Sequence, residues 1–131
     1  MDELMFTGAC GTGSPDPAAC DGFFRVAAAT PKIRVADVRG NAEAVLACVR
    51  AAAEGGVGAL ALPELCLTGY TCADLFLDRA LLREAEAALV WLLEETLTLP
   101  IIFTVGLPVV HAAALYNCAA VCCAGKLLGL T

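Results

Sequence analysis

Apolar residues in this chain fall into short runs punctuated by glycine, proline and capping residues, and the period of each run predicts an element. Residues 23–29 are apolar apart from Arg25 and lie between Asp21-Gly22 and Thr30-Pro31, which reads as a buried first strand. After a polar loop, Asn41 is placed to cap a helix in which Ala42, Val45, Leu46, Val49 and Ala53 recur at steps of three and four. Gly55-Gly56 ends it, because glycine accepts the left-handed conformation common at helix C-termini. Residues 57–62 are apolar throughout, the pattern of a strand covered on both faces, and Pro63-Glu64 closes them. A loop over residues 65–74 leads to Asp78, the expected cap of a second helix carrying Leu81, Leu82, Ala85, Ala88, Leu89, Leu92 and Leu93. Leu99-Pro100 closes that helix. Strands follow at residues 101–107 and 115–123, joined by an irregular connection over residues 108–114. A tight turn at Ala124-Gly125-Lys126 opens a fifth strand over residues 127–131.

The order β-α-β-α-β-β-β predicts an α/β fold with helices crossing between neighbouring parallel strands. An apolar fifth strand leaves an open edge, so the chain reads as the front part of a larger domain.

Composition sharpens this picture. A chain of 131 residues is the size of one domain, and 60% hydrophobic against 17% charged residues is more apolar surface than a small two-layer domain hides. A covering partner is expected. The net charge of −6, with only eight basic residues, all scattered, excludes a nucleic-acid surface. Residues 1–22 carry Asp2, Glu3, Asp16 and Asp21 and no basic residue, and read as a flexible extension without the basic and apolar regions of an export signal. The eight cysteines lie largely within apolar segments, which points to reduced thiols and a cytoplasmic setting. Proline, glycine, His111 and Asn117 interrupt the long uncharged stretch 97–125, so no membrane span is expected.

Glu64 is the strongest candidate for chemistry. A carboxylate at the carboxyl end of a parallel strand stands where open α/β sheets place their ligands, and partial withdrawal from water makes such a group a useful base. The competing reading is a carboxylate that only fixes its own turn.

The segment Leu62-Pro63-Glu64-Leu65-Cys66-Leu67-Thr68-Gly69-Tyr70 resembles the second-strand signature of the carbon-nitrogen hydrolase (nitrilase) superfamily. With Thr71-Cys72-Ala73-Asp74-Leu75-Phe76, it looks most like the glutaminase domains of glutamine-dependent NAD+ synthetases. The likeness covers residues 23–131 and includes Val105-Gly106-Leu107-Pro108 and Leu115-Tyr116-Asn117. It implies part of a four-layer α-β-β-α sandwich. It also implies glutamine as substrate, a Glu-Lys-Cys catalytic set with Glu64 as general base, and a substrate-binding place for Tyr70. For the complete enzyme it implies a synthetase domain that uses ATP and Mg to amidate deamido-NAD+, and a homo-oligomer.

The family lysine follows the fifth strand in a Pro-Lys segment that this chain does not reach, and none of the cysteines stands in the nucleophile's context. Glu64 is therefore the one catalytic residue carried over, and the chain alone is expected to be inactive. Lys126 reads as a solvated surface lysine, and Asp74 as a residue that shapes its loop. No metal site is expected. On a strand Cys118 and Cys122 share a face while Cys123 points away, His111 is the only histidine, and Cys10 and Cys20 lack a second ligand pair. The glycines of residues 8–13 lack the lysine of a phosphate loop. Two other readings stay open, a truncated stand-alone amidase and a non-catalytic remnant acting as an interaction module.

Overall fold

The computed structural model describes residues 24–131, so the expected N-terminal extension lies outside the described residues. Strand β1 (Val26–Ala28) leads to helix α1 (Val38–Glu54), strand β2 (Ala59–Ala61), a short 3-10 helix (Ala73–Leu77), helix α2 (Arg79–Glu95), and strands β3 (Ile102–His111), β4 (Ala114–Cys123) and β5 (Lys126–Leu130). They form one sheet in the order β1-β2-β3-β4-β5, with the first three strands parallel and the last two joined antiparallel. The α/β class is as expected.

Both helices cover the same face, because each right-handed crossover steps one strand in the same direction. Leu60, Phe103, Val105, Leu107, Ala120 and Cys122 project from that face and pack with Val45, Val49, Leu89 and Leu92. Phe103, Val105, Val45 and Val49 are wholly buried. Arg50 and Glu95 tie the helices together at 2.7 Å across a half-exposed gap, a bond worth about 0–1 kcal/mol. The apolar core holds the helices down.

Four expectations are corrected. Asp37, not Asn41, caps α1, accepting the Gly40 N–H at 3.1 Å. Asn41 sits buried in the first turn, where its amide accepts from Arg34 N–H at 2.8 Å and donates to the carbonyls of Arg34 (2.7 Å) and Leu67 (3.0 Å). It staples the loop before α1 to the loop after β2. The connection over residues 108–114 is regular: β3 and β4 pair without a break from Ile102↔Cys123 to His111↔Ala114, and Ala112 and Ala113 turn the chain with φ of 47° and 65°. The first strand is a short edge strand with Val26 exposed, not a buried one. The second strand is covered on one face only among the described residues, leaving Ala61 and Ile102 exposed on the other side.

Burial pushes the thiols of Cys66 and Cys122 from an ordinary 9.0 up to about 11. A thiol raised in this way is protonated in both folded and unfolded chains below pH 9. Between about 9 and 11 only the unfolded thiol ionises, so the unfolded state binds fewer protons and stability falls as pH rises. For Cys66 the loss is on the order of 2 kcal/mol. Urea midpoints measured from pH 8 to 10.5 should therefore decline less steeply in Cys66→Ala than in the parent chain; parallel slopes would contradict this linkage.

Candidate active site

Glu64 stands three residues past β2, in a turn held from every side. Leu65, Cys66, Leu67 and Thr68 are buried beneath it. Leu65 adopts φ of 49°, its carbonyl accepts from Thr68 N–H (3.1 Å) and Gly69 N–H (2.8 Å), and Gly69, at φ of 89°, completes the reversal. Leu67 N–H donates to the Gly106 carbonyl at 3.2 Å, and Ala36 N–H donates to the Thr68 carbonyl at 2.8 Å. The Cys72 thiol adds a bond to that same carbonyl at 3.0 Å. The backbone carrying Glu64 is thereby pinned to β3, to the loop before α1 and to the residue that precedes the 3-10 helix.

Gly106 makes this mount possible. A β-carbon there would lie 2.6 Å from the Pro63 oxygen and 2.8 Å from the Glu64 carbonyl carbon, closer than side chains approach backbone. With hydrogen in its place, the chain leaving β2 passes directly over β3.

A hollow of about 300 Å³ opens at this rim, lined by Leu62, Pro63, Glu64, Gly106, Asn117, Cys118, Ala119 and Thr131. It lies beyond the carboxyl ends of the parallel strands, where such sheets bind ligands. Asn117 reaches it from β4, opposite Pro108, and its Nδ2 donates a hydrogen bond to Glu64 Oε1. Thr131 reaches it through backbone bonds with Ala119 in both directions, at 2.9 and 3.0 Å. A larger hollow of about 490 Å³ lies between α1 and α2, lined by alanines, Val38 and Trp91 with Arg39, Glu43 and Glu84, and it holds none of the residues picked out by motif. The hydrogen-bonded pair Glu64 and Asn117 favours the smaller one.

The expected residues separate. Glu64 is exposed, so the partial withdrawal from water expected for it is not supplied by the described residues. Tyr70 follows on the same loop, 69% exposed, and is not among the residues lining the hollow. Asp74 lies in the first turn of the 3-10 helix. Lys126 opens β5 and His111 ends β3, both exposed. Cys118 pairs with buried Leu107, and Cys122 with buried Phe103, which puts both thiols on the helix side; Cys123 pairs with Ile102 on the other face. Among the described residues no three His, Cys, Asp or Glu side chains gather to hold a metal ion. No helix of the described residues is long and apolar enough to cross a membrane. Sequence reasoning missed the contributions of Gly106 and Asn117. Both stood in motifs that pointed to the family, but neither residue type carries its own chemical signal.

Residues 25–129 match the family model of the carbon-nitrogen hydrolases. The chain is 38% identical over 109 residues to the glutamine-dependent NAD(+) synthetase of Mycobacterium tuberculosis (strain ATCC 25618 / H37Rv), covering 83% of this chain and 16% of that protein. It is 38% identical over 96 residues to the synthetase of Aquifex aeolicus, covering 73% of this chain and 17% of that one. The chain thus spans only about one sixth of the length of these relatives. Among solved structures, the glutamine-dependent NAD(+) synthetase of Cytophaga hutchinsonii superposes with a TM-score of 0.76 at 30% identity, over 82% of this chain and 18% of that one. An amidase of the nitrilase superfamily from Nesterenkonia shares the fold, with a TM-score of 0.72 at 21% identity over 82% of this chain and 42% of that chain. By the family match over most of its length, and by the synthetases it resembles, this chain belongs to the carbon-nitrogen hydrolase family.

Proposed function

We propose that the chain forms the opening part of a glutaminase domain, which hydrolyses the side-chain amide of glutamine and supplies ammonia for ATP-dependent synthesis of NAD+ from deamido-NAD+. The observation that carries this reading is Glu64, held on a buried turn at the rim of the sheet in a chain 38% identical to a glutamine-dependent synthetase. In this reaction Glu64 acts as general base. It takes the proton of a cysteine thiol as the sulfur attacks the amide carbon, and passes that proton to the departing ammonia. Tyr70 is proposed to meet the substrate from the same loop. The lysine that offsets oxyanion charge in this family follows the fifth strand. It is proposed to act beside Glu64, in the hollow that Thr131 lines.

Among the described residues no three His, Cys, Asp or Glu side chains gather where a metal ion could be held, and ATP and Mg are assigned to another domain. No step here is routed through them; they belong with the synthetase domain of a complete enzyme, which we propose to be a cytoplasmic homo-oligomer.

Ammonia release from glutamine, measured for the 131-residue chain and for the full-length protein, tests the reading. The chain alone should be inactive and the full-length protein active. Turnover by the chain alone would mean that no further catalytic group is needed, and a full-length protein that hydrolyses other amides but not glutamine would be a stand-alone amidase.

A further inference from the structure

The turn around Glu64 is fixed by backbone bonds, but those bonds stop at its Cα. Beyond that point a glutamate has three rotatable bonds, and an exposed one samples many orientations. Among the described residues no arginine, lysine or histidine forms an ion pair with Glu64: the ion pairs there are Arg34–Asp37, Arg39–Glu43 and Arg50–Glu95. What holds the carboxylate is the side-chain amide of Asn117, which donates to Oε1. Its position comes from another part of the chain, since Asn117 is set by the pairing of β4 with Pro108 of β3.

We propose that Asn117 is a positioning residue for Glu64, one that aims the carboxylate through a single hydrogen bond from another strand. The amide takes up Oε1 and leaves the carboxylate its second oxygen as a proton acceptor. The register of β4 keeps Asn117 on the side of Gly106 and Pro108, away from the helices, because its neighbours Tyr116 and Cys118 pair with Val109 and Leu107. This rests on the glutaminase reading above for its reaction, though not for its geometry.

Kinetics of the full-length protein test the role. Asn117→Ala should lower kcat for glutamine about 10- to 100-fold with KM little changed, the size of effect that misplacing a reacting group produces. Asn117→Asp keeps the shape but sets a second carboxylate against Glu64, so it should lose more than the alanine variant. In a Glu64→Gln background the Asn117→Ala loss should vanish, because the two residues act as one unit. Asp milder than Ala, or additive losses in the double variant, would make Asn117 a packing residue and overturn the proposal. A second measurement uses the 131-residue chain itself and needs no activity. The Asn117 side-chain NH2 signals in an NMR spectrum should move upon Glu64→Gln, and unmoved signals would equally overturn it. If the full-length protein shows no glutaminase activity while these signals do move, the proposed reaction fails and the positioning contact stands.

Discussion

Replacing Glu64 by glutamine is expected to abolish glutamine-dependent NAD+ synthesis in the full-length protein while leaving synthesis from free ammonia intact. The substitution keeps the size of the side chain and removes only its capacity to accept a proton, so the loss measures general-base catalysis, about 10²- to 10⁴-fold. Stability should hardly change, because Glu64 is exposed and the turn beneath it is fixed by the bonds of Leu65, Leu67 and Thr68. Paired assays with glutamine and with ammonium chloride provide the check. Loss of both activities would assign Glu64 to the fold.

The second large effect is expected at Gly106. In Gly106→Ala the new methyl meets the backbone of residues 63–65, and backbone cannot swing aside as a side chain does. Either the turn lifts from β3, carrying Glu64 away from Asn117, or the strand bends and the strain is shared. Overpacking of this kind costs about 1–3 kcal/mol, and rigid partners place the cost at the upper end. We expect a lowered urea midpoint together with loss of glutamine-dependent activity out of proportion to it. Gly129→Ala in β5 is the control, since a β-carbon there meets nothing within 4 Å. A Gly106→Ala protein that matches Gly129→Ala in midpoint and activity would rule out the close approach as the mount of the site.

What the sequence made legible, and what it did not, follows from how far each signal reaches. Asp78 was readable as a cap because a capping residue immediately precedes a long apolar period, and its Oδ1 accepts the Ala80 N–H at 2.8 Å. At the first helix the same logic chose Asn41 over Asp37. The intervening Val38-Arg39-Gly40 resembles a loop, and only the tertiary partners of Asn41 explain an asparagine buried inside a helix. The β3–β4 hairpin was hidden because its turn is built from two alanines at positive φ, where glycine or asparagine would have announced it. The apolar second strand suggested cover on both faces; the described residues supply one. Glu64 stood out through its local motif, whereas its supports lie 42 and 53 positions further along the chain, by subtraction of 64 from 106 and from 117. Pairing across such distances has no period to read.

The hairpin also divides the chain into a part that must be counted and a part that need not be. Because β4 runs back towards the start of β3, the pair Pro108↔Asn117 marks a boundary, with the site on one side and an arm ending at Ala112-Ala113 on the other. Equal lengths added to both strands of that arm leave Asn117 opposite Pro108, so appendages can grow there without disturbing Glu64. One residue inserted between Asn117 and Ala120 carries the amide through to the helix side. The parity of β4 is thus what any change between the hairpin tip and Asn117 must preserve.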